Sequence, residues 1–149
     1  MLSASATGSP IILGNGDVAI CAGDRLYRFT AAGAPAWASP AALSGVGLTP
    51  LALAGPGATP TLLVPTRSGT VDAVRAADGA LLWSVSLSVN ELREGTVRAA
   101  AAAASSTAWF TSADGLLHGL VVDGALDPAA PWPKAWHDPR NTGNLAAAR

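Results

Sequence analysis

The sequence predicts an all-β chain built as a partial β-propeller, about three four-stranded antiparallel blades in tandem. Three observations carry this. Gly23, Gly69 and Gly115 recur at a spacing of 46, and Gly33 with Gly79 and Trp37 with Trp83 keep the same interval. The 16 Gly and 11 Pro among 149 residues favour short elements separated by turns over long helices. Apolar residues make up 50% of the chain but come in short runs, each bounded by turn residues, which is how strands read. The length suits one domain with a substantial core and is too short for two of ordinary size.

The elements follow in order. In the first copy, Pro10 to Leu13 and Asp17 to Cys21 read as strands joined by Asn15-Gly16, a dipeptide that supplies the positive φ angles of a tight hairpin. From Gly23 the run GDRLYRFTAAGAPAW gives an alternating strand, a glycine turn and Trp37. The second copy has strands at Thr49 to Leu53 and Pro60 to Pro65, then GTVDAVRAADGALLW from Gly69 to Trp83. The third has strands at about Val97 to Ala103 and Thr107 to Ser112, joined through Ser105-Ser106, with Asp114-Gly115 as the next hairpin. It continues as GLLHGLVVDGALDPAAPW, in which Trp132 reads as the repeat tryptophan displaced by an insertion. The blades are therefore placed at 9–42, 46–88 and 95–133, with a tail at 134–149.

A period near 46 with four short strands per unit describes propeller blades, whose sheets pack face to face. Small residues such as Ala52, Ala73 and Gly119 would let sheets approach near the axis, while Leu82, Trp83 and Val85 would fill the wider outer gaps. One segment resists. Ala99 to Ala104 favours helix, and Val89 to Glu94 ahead of it offers a helix start interrupted by Gly95. The repeat phase requires a strand there, and packing commonly overrides propensity.

The pattern of a glycine, hydrophobic-x-Ala-hydrophobic, then Asp-Gly and Trp is best developed in Gly69-Thr70-Val71-Asp72-Ala73-Val74-Arg75-Ala76-Ala77-Asp78-Gly79-Ala80-Leu81-Leu82-Trp83. It resembles the repeat of pyrroloquinoline-quinone-like (PQQ-like) propellers, which include quinoprotein dehydrogenases and the barrel-assembly lipoprotein of bacterial outer membranes. The stretch Pro131-Trp132-Pro133-Lys134-Ala135-Trp136-His137-Asp138-Pro139-Arg140-Asn141-Thr142-Gly143 is similar to a segment that flanks such propellers in large envelope proteins. The resemblance covers about residues 9 to 143. It implies a periplasmic or cell-surface setting and rings of about six to eight blades. Three blades do not close such a ring, so the expectation is a fragment of a larger bacterial envelope protein, or a chain that self-associates, with uncovered blade faces inviting a protein partner.

Chemistry is sparse. Quinoprotein dehydrogenases of this resemblance use adjacent cysteines, a calcium site and an Asp base, whereas Cys21 is the only cysteine here and reads as a small buried apolar residue. Asp72, Asp78, Asp114 and Asp123 lie in or beside hairpins, where turn geometry accounts for them. His118 alternates with Leu117 and Gly119 along a strand and reads as structural. His137, Asp138, Arg140 and Asn141 form the densest polar cluster, but one His and one Asp are too few for a closed metal site. They read instead as part of a clasp in which Trp132 and Trp136 dock on the preceding blade. No phosphate-binding glycine loop, nucleophile elbow or zinc motif is present.

The expectation is thus a noncatalytic scaffold or protein-binding module with no catalytic, cofactor-binding or metal-ligating residues and no cofactor. The alternative is the non-catalytic portion of a larger PQQ- or calcium-dependent enzyme. A formal charge of -1 supplies no field to attract nucleic acid. Met1 to Pro10 has no Lys or Arg, and Ile11-Ile12-Leu13 is short, so no export signal is read. No window reaches the roughly 18 uninterrupted apolar residues of a membrane span, so no membrane insertion is expected.

Overall fold

Hairpins dominate because the turn residues sit where the strands need them. In this computed structural model, which describes residues 1–54, 60–99 and 105–135, the first sheet contains β1 (Ile11–Ile12), β2 (Val18–Ala22), β3 (Arg25–Phe29) and β4 (Ala41–Ala42). The second contains β5 (Leu51–Leu53), β6 (Thr61–Pro65), β7 (Thr70–Arg75) and β8 (Leu81–Ser86). The third contains β9 (Leu92–Ala99), β10 (Ser105–Ser112) and β11 (Leu117–Asp123). Each is an antiparallel meander in chain order. No helix occurs among the described residues, and the chain is all-β, a partial propeller of three blades.

The recurrent glycine has a local cause. Gly69 adopts φ +83 in the β6–β7 turn, where Thr66 N–H donates to the Thr70 carbonyl and Gly69 N–H to that of Thr66. Ser112, Leu116 and Gly115 repeat that pattern 46 residues later. A side chain is strained at such φ, so the hairpin holds the period in place.

Two apolar clusters alternate with the blades. Ile11, Ala19, Cys21, Leu26 and Trp37 of the first sheet meet Ala52, Leu62, Val64 and Val74 of the second. Leu51, Leu53, Leu63, Val71 and Ala73 of the second meet Val97, Ala108, Phe110 and Val122 of the third. Neighbouring residues of the central blade, Leu62 and Leu63 or Ala73 and Val74, thus point into opposite interfaces, the period-2 alternation of a sheet buried on both faces. Ala52 and Ala73 are both fully buried between sheets.

Several expectations change. Among the described residues the third sheet has three strands, not four, because after β11 the chain turns away at Gly124 and runs beside the β5 and β1 edges. Ala54 N–H donates to Ala125 O, Asp127 N–H to Ala52 O, and Ala52 N–H to Pro133 O, while Ile12 and Trp132 exchange both backbone bonds. Trp132 is therefore not the displaced counterpart of Trp37 and Trp83; it docks on the first blade rather than on the preceding one. Ser105 and Ser106 lie within β10 and do not form a turn. The strand that the repeat phase requires is present as β9, but it begins at Leu92 rather than near Val97. Ala100 to Ala104 lie outside the described residues, as do Trp136, His137, Asp138, Arg140 and Asn141.

At the β1 and β5 edges the blades approach closely. A Cβ on Gly8 would stand 2.4 Å from the Thr49 nitrogen. Ser9 N–H donates to Thr49 Oγ1 (2.9 Å), and the buried Thr49 hydroxyl donates to Glu94 Oε1 (2.7 Å). One side chain thereby ties the leading segments of all three blades together.

Candidate binding surface

The buried polar groups come first, because an active site would draw on them. Asp72 is fully buried in the middle of β7, not in a turn as its sequence neighbourhood suggests. Its Oδ2 accepts from Ser44 N–H (2.7 Å) and Ser44 Oγ (2.9 Å), and its Oδ1 from Ser84 Oγ (2.6 Å). Every bond is to the fold itself, and the carboxylate pins the segment following β4 to the second sheet. Asp17 is likewise held: Arg28 Nε donates to Asp17 Oδ2 at 2.8 Å and Nη2 lies 2.6 Å from it. Arg28 Nη1 also bonds the Ala76 carbonyl, which accepts from Trp37 Nε1 at 2.9 Å as well. Blade one is thus bonded to the turn after β7 through a carbonyl that both side chains share.

Cys21 is wholly buried. Burial, with a smaller contribution from the Asp72 carboxylate, pushes its thiol up to about 12. A thiol so placed carries almost no thiolate near neutral pH, which makes it a poor nucleophile.

Ser112, His118 and Asp114 place a hydroxyl, an imidazole and a carboxylate within reach of one another. Their order is wrong for nucleophilic catalysis, in which the imidazole stands between the other two. Here the hydroxyl is in the middle: Ser112 Oγ donates to Asp114 Oδ1 and lies 2.9 Å from His118 Nε2. A Ser112 proton given to a carboxylate leaves the imidazole no proton to remove. The Ser112 bond, helped by Leu116 N–H and Asn90, holds the Asp114 carboxyl below its ordinary value. Thr66, 46 residues earlier, makes the same kind of hairpin contact with Ser68 Oγ (2.8 Å) and the Thr70 carbonyl (2.9 Å). The cluster is the hairpin cap of the repeat. Asp78 is also a turn residue, accepting from Ala80 N–H (3.0 Å) and Arg75 Nη1 (3.1 Å). Asp123 is the last residue of β11, paired with Ser105.

Among the described residues, no group of three or more His, Cys, Asp or Glu is placed to hold a metal ion. A depression of about 430 Å³ lies beside Leu13, Arg28, Ala76 and Asp127, but the Arg28 guanidinium in it is already committed to Asp17 and Ala76. No described helix is long and apolar enough to cross a membrane.

What stands out is apolar surface. The third sheet buries Val97, Ala108, Phe110 and Val122 against the second, so its other face looks outward. On that face Trp109 lies over Gly119, whose Cβ would come 2.9 Å from the indole, and is flanked by Leu117 and Val121, 63% and 73% exposed. Glu94 and Arg98 supply exposed charges on β9. A second exposed apolar stretch, Leu81, Leu82 and Trp83, lies on β8 at the edge of the second sheet. This reverses the expectation that Leu82 and Trp83 fill an outer gap; only Val85 packs against the core.

The two repeat tryptophans show why. Trp37 is 8% exposed, bonded to Ala76 and in contact with the turn at Gly79, whose Cβ would stand 3.0 Å from the indole. Trp83 would need the corresponding turn of the third blade, but the chain leaves at Gly124, where an added Cβ would meet the Ala54 carbonyl at 2.0 Å. Without that platform Trp83 is 39% exposed. Sequence reasoning could not have found Trp109 as a surface residue, because a tryptophan in an alternating strand ordinarily marks a buried face.

The fold and these surfaces define the class: a partial β-propeller with open apolar sheet surface. Comparison with protein-family models finds none that matches, and comparison with curated proteins finds no matching relative.

Proposed function

We propose that this chain is a noncatalytic β-propeller scaffold or protein-binding module, part of a larger PQQ-like repeat protein of the bacterial envelope. The observation that carries the reading is the contrast between blades. The central sheet is buried on both faces, whereas the third presents Trp109, Leu117 and Val121 to solvent on a face of the same architecture. Exposed contiguous apolar surface of this kind marks an interaction site. The inward-tied carboxylates and the protonated Cys21 add nothing that would favour catalysis. The PQQ-like assignment rests on the 46-residue sequence pattern.

The test is light scattering after size exclusion, paired with binding of an environment-sensitive apolar dye at micromolar protein. The wild type binds dye or associates, and Trp109→Ser combined with Leu117→Lys reduces either effect with little change in thermal stability. A wild-type monomer that takes up no dye refutes the reading.

A further inference from the structure

Blades one and two each end in a fourth strand, β4 and β8, laid against β3 and β7. Among the described residues blade three has none, and its edge is β11, seven residues long. Edge strands are normally guarded by lysine, proline or a bulge against pairing with other chains. β11 reads LHGLVVD, with no lysine or proline, and it pairs with β10 without a register shift.

The direction of its unpaired groups follows from the turn before it. Ser112 N–H donates to the Leu116 carbonyl, so Leu116 faces β10. Backbone groups alternate along an antiparallel strand. His118 and Leu120 therefore also face β10, while Leu117, Gly119 and Val121 direct N–H and C=O away from the sheet. Their counterparts 46 residues earlier, Val71 and Ala73, stand opposite Val85 and Trp83 of β8. Beside this free edge runs a groove of about 340 Å³ lined by Trp83, Val85, Leu120 and Val122. The two complete blades thus show what this place takes: a short extended antiparallel segment that is apolar and small, as in β4, or apolar with tryptophan and serine, as in β8.

We propose that the β11 edge is a strand-addition site that binds an extended, uncharged, apolar segment of a partner polypeptide as the fourth strand of blade three. Backbone hydrogen bonds to Leu117, Gly119 and Val121 supply the pairing, and the groove beside Trp83 takes alternate side chains, the usual division of labour when a peptide joins a sheet edge. The proposal rests on the reading of the chain as a binding scaffold but uses the sheet's edge, not its open face.

The probe is a fluorescein-labelled peptide with the sequence of residues 79–88, GALLWSVSLS, titrated into the full chain by fluorescence anisotropy. Saturable one-to-one binding is expected, with hydrogen-exchange protection confined to the amides of Leu117, Gly119 and Val121. Val121→Pro removes one outward donor at an edge position that tolerates proline, and weakens binding by about tenfold, the worth of one backbone hydrogen bond. Trp109→Ser leaves peptide binding unchanged, so a failed scaffold reading and a failed edge site give different patterns. Absence of binding, equal binding by Val121→Pro, or protection elsewhere overturns the proposal. A wild-type dimer that Val121→Pro converts to monomer also overturns it, by giving the edge to a second copy. If Val121→Pro does not fold, the exchange pattern of the wild type decides alone.

Discussion

Trp37 and Trp83 occupy the same place in the repeat, so replacing each with alanine measures how far burial depends on the blade that follows. The structure gives them different surroundings: Trp37 is 8% exposed and Trp83 39%, a difference of 31 percentage points. On a tryptophan surface of roughly 250 Å² at about 25 cal/mol per Å², that difference corresponds to about 2 kcal/mol. Trp37 also donates its indole N–H to Ala76, and losing that bond adds about 1 kcal/mol, moderated because Arg28 still reaches the same carbonyl. Trp37→Ala is expected to cost about 4 kcal/mol, within the usual range for a buried aromatic. Trp83→Ala should then cost about 1–2 kcal/mol. For a chain of this size each kcal/mol shifts the midpoint by roughly 2–4 °C, so calorimetry and urea denaturation resolve the pair easily. Equal losses, or a larger loss for Trp83→Ala, would refute the account in which the chain's departure at Gly124 strips Trp83 of its platform.

Asp72→Ala orphans the Ser44 N–H, which cannot rotate to another acceptor as the two serine hydroxyls can. A loss of about 3 kcal/mol is expected in urea denaturation, with Asp72→Asn intermediate because one oxygen survives as acceptor. Gly124 stands at φ +88 with the Ala54 carbonyl where its Cβ would be; Gly124→Ala should cost at least about 2 kcal/mol, read as a lowered melting temperature, and a neutral result would contradict the described path of the chain. Cys21, with its thiol pushed up to about 12, should resist iodoacetamide at pH 8 in the folded chain and react once urea unfolds it. The sign of its pH effect follows. The folded thiol holds its proton from about 9, the ordinary value, up to about 12, while the unfolded one releases it. The Cys21 contribution is therefore complete below pH 9 and is lost as pH rises toward 12. A Cys21→Ala variant should show a shallower alkaline loss of stability, and an unchanged slope would contradict that burial.

Much of the architecture was legible because it is written in local geometry. Glycine at a positive-φ turn position and alternating apolar residues in the flanking strands are requirements of a hairpin wherever it sits, and they repeat every 46 residues at Gly23, Gly69 and Gly115. Where one strand partner competes with another, local pattern is silent. After Asp123 the chain can continue to a fourth outer strand or cross to the β5 and β1 edges. Nothing in GALDPAAPW distinguishes these, because the outcome depends on unpaired backbone groups at Ile12, Ala52 and Ala54, more than 70 residues away in sequence. That choice sent Trp132 to the first blade, left Trp83 half-covered and left β11, paired with β10 on one side, without an outer neighbour among the described residues. The burial of Asp72 was hidden for the same reason: its acceptor capacity is met by Ser44 from the preceding blade, and an Asp in an alternating strand reads as solvent-facing until that partner is in place. Turns and periodicity were set by the chain's own φ angles and side-chain alternation. Which strand edges and sheet faces stay open was decided only by long-range backbone pairing.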